Sequence, residues 1–131
     1  MGLSKTVSGK LLQSSYADRP DHIITITSSQ HVHSVAVGSR ILATTRDVLL
    51  VKEASYPIVR YFTQNAFEAG VLRKTDHSSW CPFKGRASYF SIGDDPMLEN
   101  VVWRYEDPFE EVATIKEYYA FYQEKVQITQ Q

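Results

Sequence analysis

The chain has 131 residues, of which 43% are hydrophobic and 22% charged, and its formal net charge is -1. These values are typical of one soluble globular domain with one core, and they argue against a general nucleic-acid binder. No apolar run approaches the roughly 20 residues of a membrane-spanning helix. A single cysteine excludes an internal disulfide and a Cys-rich zinc site, and favours a reducing, cytoplasmic location.

The first half of the chain predicts an arm followed by strands. Residues 1–21 are polar and predict an N-terminal arm with one helical turn over residues 10–15, ahead of a domain over residues 22–131. Beyond the arm, β-branched residues recur with the period of two that is typical of strands. The strands predicted here cover residues 24–27, 32–37, 41–44, 48–51 and 58–62, with a hairpin turn at residues 38–39.

The second half predicts more strands and little helix. Residues 65–72 predict a short helix, and the polar residues 73–79 predict a loop. Asp107, Pro108 and Glu110 form a helix-start signature for a turn or helix that extends to about residue 117. Further strands are predicted over residues 87–92, 101–105, 120–122 and 126–128. The predicted fold is mainly β: a single compact domain of short antiparallel strands with one or two short helices.

The aromatic residues are concentrated in the later part of the chain. Of the 16 Phe, Trp and Tyr residues, only Tyr16 precedes Tyr56, and eight of the 16 are tyrosines. Tyrosine suits a wall that is apolar on one side and forms hydrogen bonds on the other. Two interpretations stay open: a core that takes its bulk from the later strands, and an aromatic-lined cavity.

Five motifs from residue 59 onward resemble one protein family. The motifs are Val59-Arg60-Tyr61-Phe62, Thr75-Asp76-His77, Cys81-Pro82-Phe83-Lys84-Gly85, Trp103-Arg104-Tyr105-Glu106-Asp107-Pro108 and Ala120-Phe121-Tyr122. In this order they resemble the Domain of Unknown Function 427 family, sometimes labelled nucleotidyltransferase-like, over roughly residues 30–128. The resemblance implies a β-tent fold, shared with methionine-R-sulfoxide reductases and the thalidomide-binding domain of cereblon. Many β-tent proteins hold a Cys-rich zinc site that one cysteine cannot form, so neither a metal nor a cofactor is expected here.

The Cys-Pro-Phe-Lys-Gly motif contains two candidates for chemistry. A lysine ahead of a glycine in a tight loop can present its ammonium beside backbone amides, so Lys84 is a candidate contact for an anion. The alternative is a solvated lysine in a turn that needs Gly85 for backbone reasons. Cys81 is a weak candidate nucleophile because Lys84, Arg86 and His77 are close in sequence, although an inert cysteine is favoured.

His31 and His33 would share one face of a strand, as the first ligands of some metal sites do. No third ligand stands at a diagnostic spacing from them. A surface location for both histidines is therefore the favoured interpretation.

Trp103 and Tyr105 are two residues apart, so they share a strand face, and Tyr61 and Tyr89 join them if their strands are neighbours. The predicted ligand-binding residues are Lys84, Tyr89, Trp103, Tyr105, Tyr61, His77 and Trp80. The leading hypothesis is a protein that binds a small anionic or polar ligand in an aromatic-lined pocket. The alternatives are an enzyme that uses Cys81 or has a nucleotidyltransferase-type activity, and a protein-interaction module.

Overall fold

The computed structural model describes residues 19–131 in full and the backbone of residues 3–7 and 10–13. The strands are β1 Leu3–Val7, β2 Lys10–Gln13, β3 Ile24–Ser28, β4 His33–Val37, β5 Arg40–Thr45, β6 Val48–Glu53, β7 Val59–Thr63, β8 Leu72–Cys81, β9 Gly85–Ile92, β10 Val102–Tyr105, β11 Tyr118–Phe121 and β12 Gln127–Gln130. Short 3-10 helices cover Gln64–Ala66, Pro96–Leu98, Glu110–Ile115 and Gln123–Lys125. The predicted mainly β, antiparallel, single-domain fold is confirmed.

The strands of the domain form two antiparallel sheets. The larger sheet has seven strands in the order β3-β6-β7-β11-β10-β9-β8, and the smaller has three in the order β12-β4-β5. Strands β1 and β2 pair with each other. None of the helical segments in the described part of the chain has the length and apolar character that crossing a bilayer requires.

Both faces of the seven-stranded sheet are covered by apolar side chains. Successive residues of a strand point to opposite faces, so the sheet contributes to two clusters. Phe62 and Phe90 belong to the first cluster, which includes buried residues of β4 and β5. Their neighbours in sequence, Tyr61 and Tyr89, belong to the second. The second cluster also contains Val112 and Ile115 from the 3-10 helix Glu110–Ile115. The tyrosine-rich face is therefore distinct from the face toward the smaller sheet.

The loop predicted over residues 73–79 is wrong, because this segment lies within the ten-residue strand β8. Strand β8 is at the edge of the larger sheet and pairs only with β9 there, with an irregularity between Lys74 and Ser78. Most of its side chains are exposed. An edge strand that faces solvent does not need the apolar residues on which the prediction depended.

The helix predictions also require correction. The helix expected over residues 65–72 is only the 3-10 helix Gln64–Ala66, and Leu72 already belongs to β8. The segment after Asp107 forms two short 3-10 turns with a kink between them at Val112. Its N-cap is Phe109 and not the predicted Asp107, and the Phe109 side chain makes no capping hydrogen bond. The helical turn expected over residues 10–15 is wrong for Lys10–Gln13, which form a strand; residues 14–15 lie outside the described residues.

His33 is buried, contrary to the expected surface location. Its side chain is fully inaccessible, and its Nε2 lies 2.6 Å from the Ser29 hydroxyl. Burial lowers the pKa of His33, and the charges of Arg60 and His31 act in the same direction. Among the described residues, no group of three or more His, Cys, Asp or Glu side chains is arranged to hold a metal ion. His33 is therefore a core residue, in which burial disfavours the charged imidazolium.

Candidate functional site

One row of side chains crosses five strands on the tyrosine-rich face of the larger sheet. Tyr61 of β7 lies opposite Ala120 of β11, and Ala120 lies opposite Trp103 of β10. Trp103 in turn lies opposite Tyr89 of β9, while Leu49 of β6 lies opposite Tyr61. The prediction that Tyr61, Tyr89, Trp103 and Tyr105 share a face is confirmed. The small side chain of Ala120 separates the rings of Tyr61 and Trp103 in this row.

The Cys-Pro-Phe-Lys-Gly motif is the turn that joins β8 to β9. The Lys84 backbone N–H donates to the Cys81 carbonyl at 3.3 Å, and the Phe109 N–H donates to the Lys84 carbonyl at 3.0 Å. Gly85 has a φ of 111°, in the region that favours glycine. A Cβ added at Gly85 would lie 3.4 Å from the Asp107 carbonyl oxygen. The turn is therefore held from both sides, and these contacts fix the position of Lys84.

The Lys84 side chain is buried, with 6% of the residue exposed, and it forms an ion pair with Glu53 Oε1. The other carboxylate oxygen of Glu53 lies 2.8 Å from His22 Nε2, and the His22 ring stacks on Phe83 at 3.8 Å between centroids. Burial alone would raise the pKa of the Glu53 carboxyl. The hydrogen bonds from Lys84 and His22 and their charges outweigh burial, so this pKa lies below its ordinary value.

The ion pair lies at the wall of a cavity of about 220 Å³ on the same face of the sheet. The cavity is partly open to solvent, and its lining includes buried, half-buried and exposed residues. Its buried and half-buried lining residues are Val51, Glu53, Val59, Tyr61, Lys84, Tyr89, Trp103 and Tyr105. Its exposed lining residues are Tyr56, Pro57 and Tyr122. These three exposed residues form the rim of the cavity.

An outer groove of about 440 Å³ continues from the rim. It shares six lining residues with the cavity and adds Ile58, Phe121, Gln123 and Glu124. The Trp103 and Tyr122 rings, 4.8 Å apart at their centroids, contribute to both spaces. Pockets for drug-sized ligands usually measure about 300–1,000 Å³. The cavity alone therefore suits a small ligand, and a longer one would extend into the groove.

The buried tyrosines stay neutral at physiological pH. Burial raises the pKa of Tyr61, and a hydrogen bond with Trp103 opposes this rise only in part. Burial also raises the pKa of Tyr105, and the neighbouring Tyr61, Cys81, Tyr89 and Glu53 act in the same direction. The cavity walls thus combine aromatic surface with uncharged hydroxyls, while Glu53 and Lys84 supply one charge of each sign.

The predicted ligand-binding residues fall into two groups. Tyr61, Lys84, Tyr89, Trp103 and Tyr105 all line the cavity. His77 and Trp80 do not belong to its lining, and both are exposed. The His77 ring contacts the Tyr89 ring at 4.5 Å between centroids, and Trp80 packs edge-on against Phe109 at 5.5 Å. A ligand role for these seven residues stays a prediction.

Cys81 is the last residue of β8 and is half-buried against the tyrosine-rich cluster. It is a free cysteine and does not belong to the lining of the cavity or of the outer groove. Its carbonyl accepts the Lys84 N–H, and its side chain packs against the cluster that contains Tyr61 and Tyr105.

Glu53 and His22 are the two site residues that sequence reasoning did not assign to the pocket. Leu49, Val51 and Glu53 alternate along β6, so all three point to the tyrosine-rich face. The alternation along β6 could have indicated that Glu53, although acidic, points to the same face as Leu49 and Val51. His22 precedes the first strand of the domain by two residues, and no periodicity connects it to the site.

Comparison with known proteins places this chain in a family. A family model described as a domain of unknown function, DUF427, matches residues 25–131. The chain belongs to the DUF427 family. The match covers every strand from β6 to β12, and therefore all of the described residues that line the cavity. No curated protein matches this DUF427 chain.

Proposed function

We propose that this DUF427 chain binds a small polar molecule with a flat ring, which lies against Trp103 and reaches the Glu53–Lys84 ion pair. The observation that carries the proposal is the location of a largely buried ion pair at the wall of an open aromatic cavity. Taking two charges out of water is costly, and apolar residues of similar volume often stabilise a protein as well or better. A pair that borders a cavity keeps hydrogen-bonding capacity for a ligand.

The charge of the site favours a polar ligand over an anionic one. Lys84 was the predicted contact for an anion, but its ammonium already pairs with Glu53. The two opposite charges offset each other, so the positive field expected from the motif alone is largely cancelled. The pair nevertheless offers donors on Lys84 and acceptors on Glu53 to a ligand that carries both kinds of group.

Nuclear magnetic resonance of the two tryptophan indoles tests this proposal directly. The chain contains only Trp80 and Trp103, so an ¹⁵N-labelled sample has two indole N–H signals. Trp103 lines the cavity, and Trp80 lies outside it, packed on Phe109. Trp80→Phe and Trp103→Phe assign the two signals. The sample is then titrated with nucleobases, nucleosides, nicotinamide, sugars and small organic acids.

The proposal expects at least one flat polar compound to shift the Trp103 signal in a saturable manner while the Trp80 signal stays in place. Replacing Trp103 by alanine removes a wall of the cavity, so the same compound should then bind more weakly by about tenfold or more. Trp80→Ala, the matched control, should bind it like the wild type. A panel that leaves Trp103 unshifted, or shifts both indoles equally, contradicts the proposal.

A further inference from the structure

Tyr105 is the starting point for identifying the class of ligand. The residue is 7% exposed and lines the cavity. Its hydroxyl makes no hydrogen bond to a side chain or backbone group within residues 19–131. Because Tyr105 is one of the residues that line the cavity, the small surface that it retains is available to a ligand there.

The neighbouring Tyr89 differs from Tyr105 because its hydroxyl has a partner in the protein. It lies 2.8 Å from the Ser79 hydroxyl, within hydrogen-bond distance. A buried hydroxyl without a partner costs stability, because water that would otherwise satisfy it is partly excluded. Tyrosine at position 105 is therefore less favourable for the unliganded fold than phenylalanine would be.

Lys84 adds unused donors to the same space. An ammonium has three N–H groups, and within residues 19–131 the Lys84 side chain donates only to Glu53. Two of its N–H groups thus have no protein acceptor in this part of the chain. Within the same residues, each Glu53 oxygen accepts one hydrogen bond, from Lys84 or from His22, and keeps a second lone pair.

Tyr105 and Lys84 offer several hydrogen-bond donors to the cavity, while the charges of Lys84 and Glu53 offset each other. A carboxylate ligand would be a third buried charge next to a pair that already offsets itself, and its desolvation would be poorly compensated. A neutral carbonyl oxygen uses the same donors without that cost. An N–H beside the carbonyl matches the free lone pairs of Glu53.

We propose that the ligand is a flat ring bearing a neutral amide, either a carboxamide or a ring lactam, whose carbonyl oxygen accepts from Tyr105 and Lys84 while its N–H donates to Glu53. This inference rests on the proposed function. It adds the chemical class that the site selects, and it makes Tyr105 the residue that determines specificity within the aromatic wall.

Pairs of probes that differ only in the amide test the ligand class. Nicotinamide and nicotinate, and benzamide and benzoate, are titrated at neutral pH against the Trp103 indole signal. Each amide should bind about tenfold more tightly than its acid. Acids that bind as tightly as their amides, or more tightly, overturn the inference while leaving the proposed function intact. If neither these probes nor the wider panel shifts Trp103, the proposed function fails and the ligand class fails with it.

Tyr105→Phe provides a second test that does not depend on a known ligand. Because the hydroxyl has no hydrogen-bond partner within residues 19–131, the unliganded variant should unfold at an unchanged or higher urea concentration, yet bind the amides about tenfold more weakly. Tyr89→Phe is the matched comparison, since it removes a hydroxyl that bonds to Ser79 and should unfold at a lower concentration. A lowered midpoint for Tyr105→Phe, like that of Tyr89→Phe, would overturn the inference.

Discussion

Lys84 and Glu53 are 31 positions apart in the sequence, and their side chains form the ion pair at the wall of the cavity. The pair joins the β8–β9 turn to the end of β6. Neither β8 nor β9 pairs with β6 in the sheet. The same two side chains therefore stabilise the fold and face the space that a ligand would occupy.

Removing one partner of this pair should destabilise the fold strongly. Glu53→Gln leaves a buried ammonium without its carboxylate, and we expect the free energy of unfolding to fall by about 3–5 kcal/mol. Lys84→Met should cost less, because Glu53 is more exposed and retains His22. Urea denaturation measures both variants. Lys74→Met, which breaks the exposed pair with Glu106, is the control and should cost about 0–1 kcal/mol. Equal effects at Glu53 and Lys74 would contradict this account of burial.

A side chain at Gly85 should destabilise the motif turn, mainly because the backbone φ there is unfavourable for residues other than glycine. Gly85→Ala places a Cβ at a φ of 111° and 3.4 Å from the Asp107 carbonyl, and should cost about 1–3 kcal/mol. Gly38→Ala is the matched control, because its φ of 58° is also positive but nothing lies within 4 Å. Thermal or urea unfolding compares the two variants. We expect the larger loss at Gly85, together with a shift of the Trp103 indole signal that Gly38→Ala lacks.

Acid should weaken the fold through Glu106. Burial would raise the pKa of this carboxyl, but hydrogen bonds from Lys74, Arg104 and Ser88 outweigh burial and lower it to about 2, from an ordinary value of 4.5. The stabilisation is thus fully present above the unfolded-state value and is lost as the pH falls toward the folded-state value. The urea midpoints of wild type and Glu106→Gln should therefore differ most above about pH 5 and converge toward about pH 2. A difference that stays constant across this range would exclude Glu106 as its source.

Cys81 should behave as a packing residue. The thiol is half-buried and does not belong to the cavity lining, so a disulfide reagent such as 5,5′-dithiobis(2-nitrobenzoate) should label the native protein much more slowly than protein in urea. Cys81→Ala should leave amide binding at Trp103 unchanged. Rapid labelling of the native thiol, together with protection by a bound ligand, would instead favour the enzymatic alternative.

Sequence patterns predicted the strands well wherever short apolar segments occur. The apolar run from Val48 to Val51 and the segment from Val59 to Phe62 contribute buried residues to both faces of the sheet, so their identity as strands is visible without a structure. The pattern failed at β8, whose exposed edge position permits Lys74, Asp76 and Ser78 to occupy a strand. It also overestimated helix near Asp107, where the peptide group of Phe109 bonds to Lys84 instead of joining a helix.

The candidate site was predictable in part for the same reason. Tyr61, Tyr89, Trp103 and Tyr105 have the spacing of one strand face, and their convergence required only that their strands be close together in the sheet. The partner of Lys84 was not predictable from spacing. Glu53 comes from β6, which three strands separate from β9 in the sheet, and sequence periodicity carries no information about which strands become neighbours.

The cavity wall and the rim have different origins in the fold. Tyr61, Tyr89 and Trp103 lie on paired strands, whereas Tyr56 and Pro57 lie in the β6–β7 connection and Tyr122 directly follows β11. Replacing a rim residue alters the entrance without removing a buried ring. A combinatorial library restricted to positions 56, 57 and 122 should therefore yield folded variants with new ligand preferences, which makes this domain a practical scaffold for engineered small-molecule sensors.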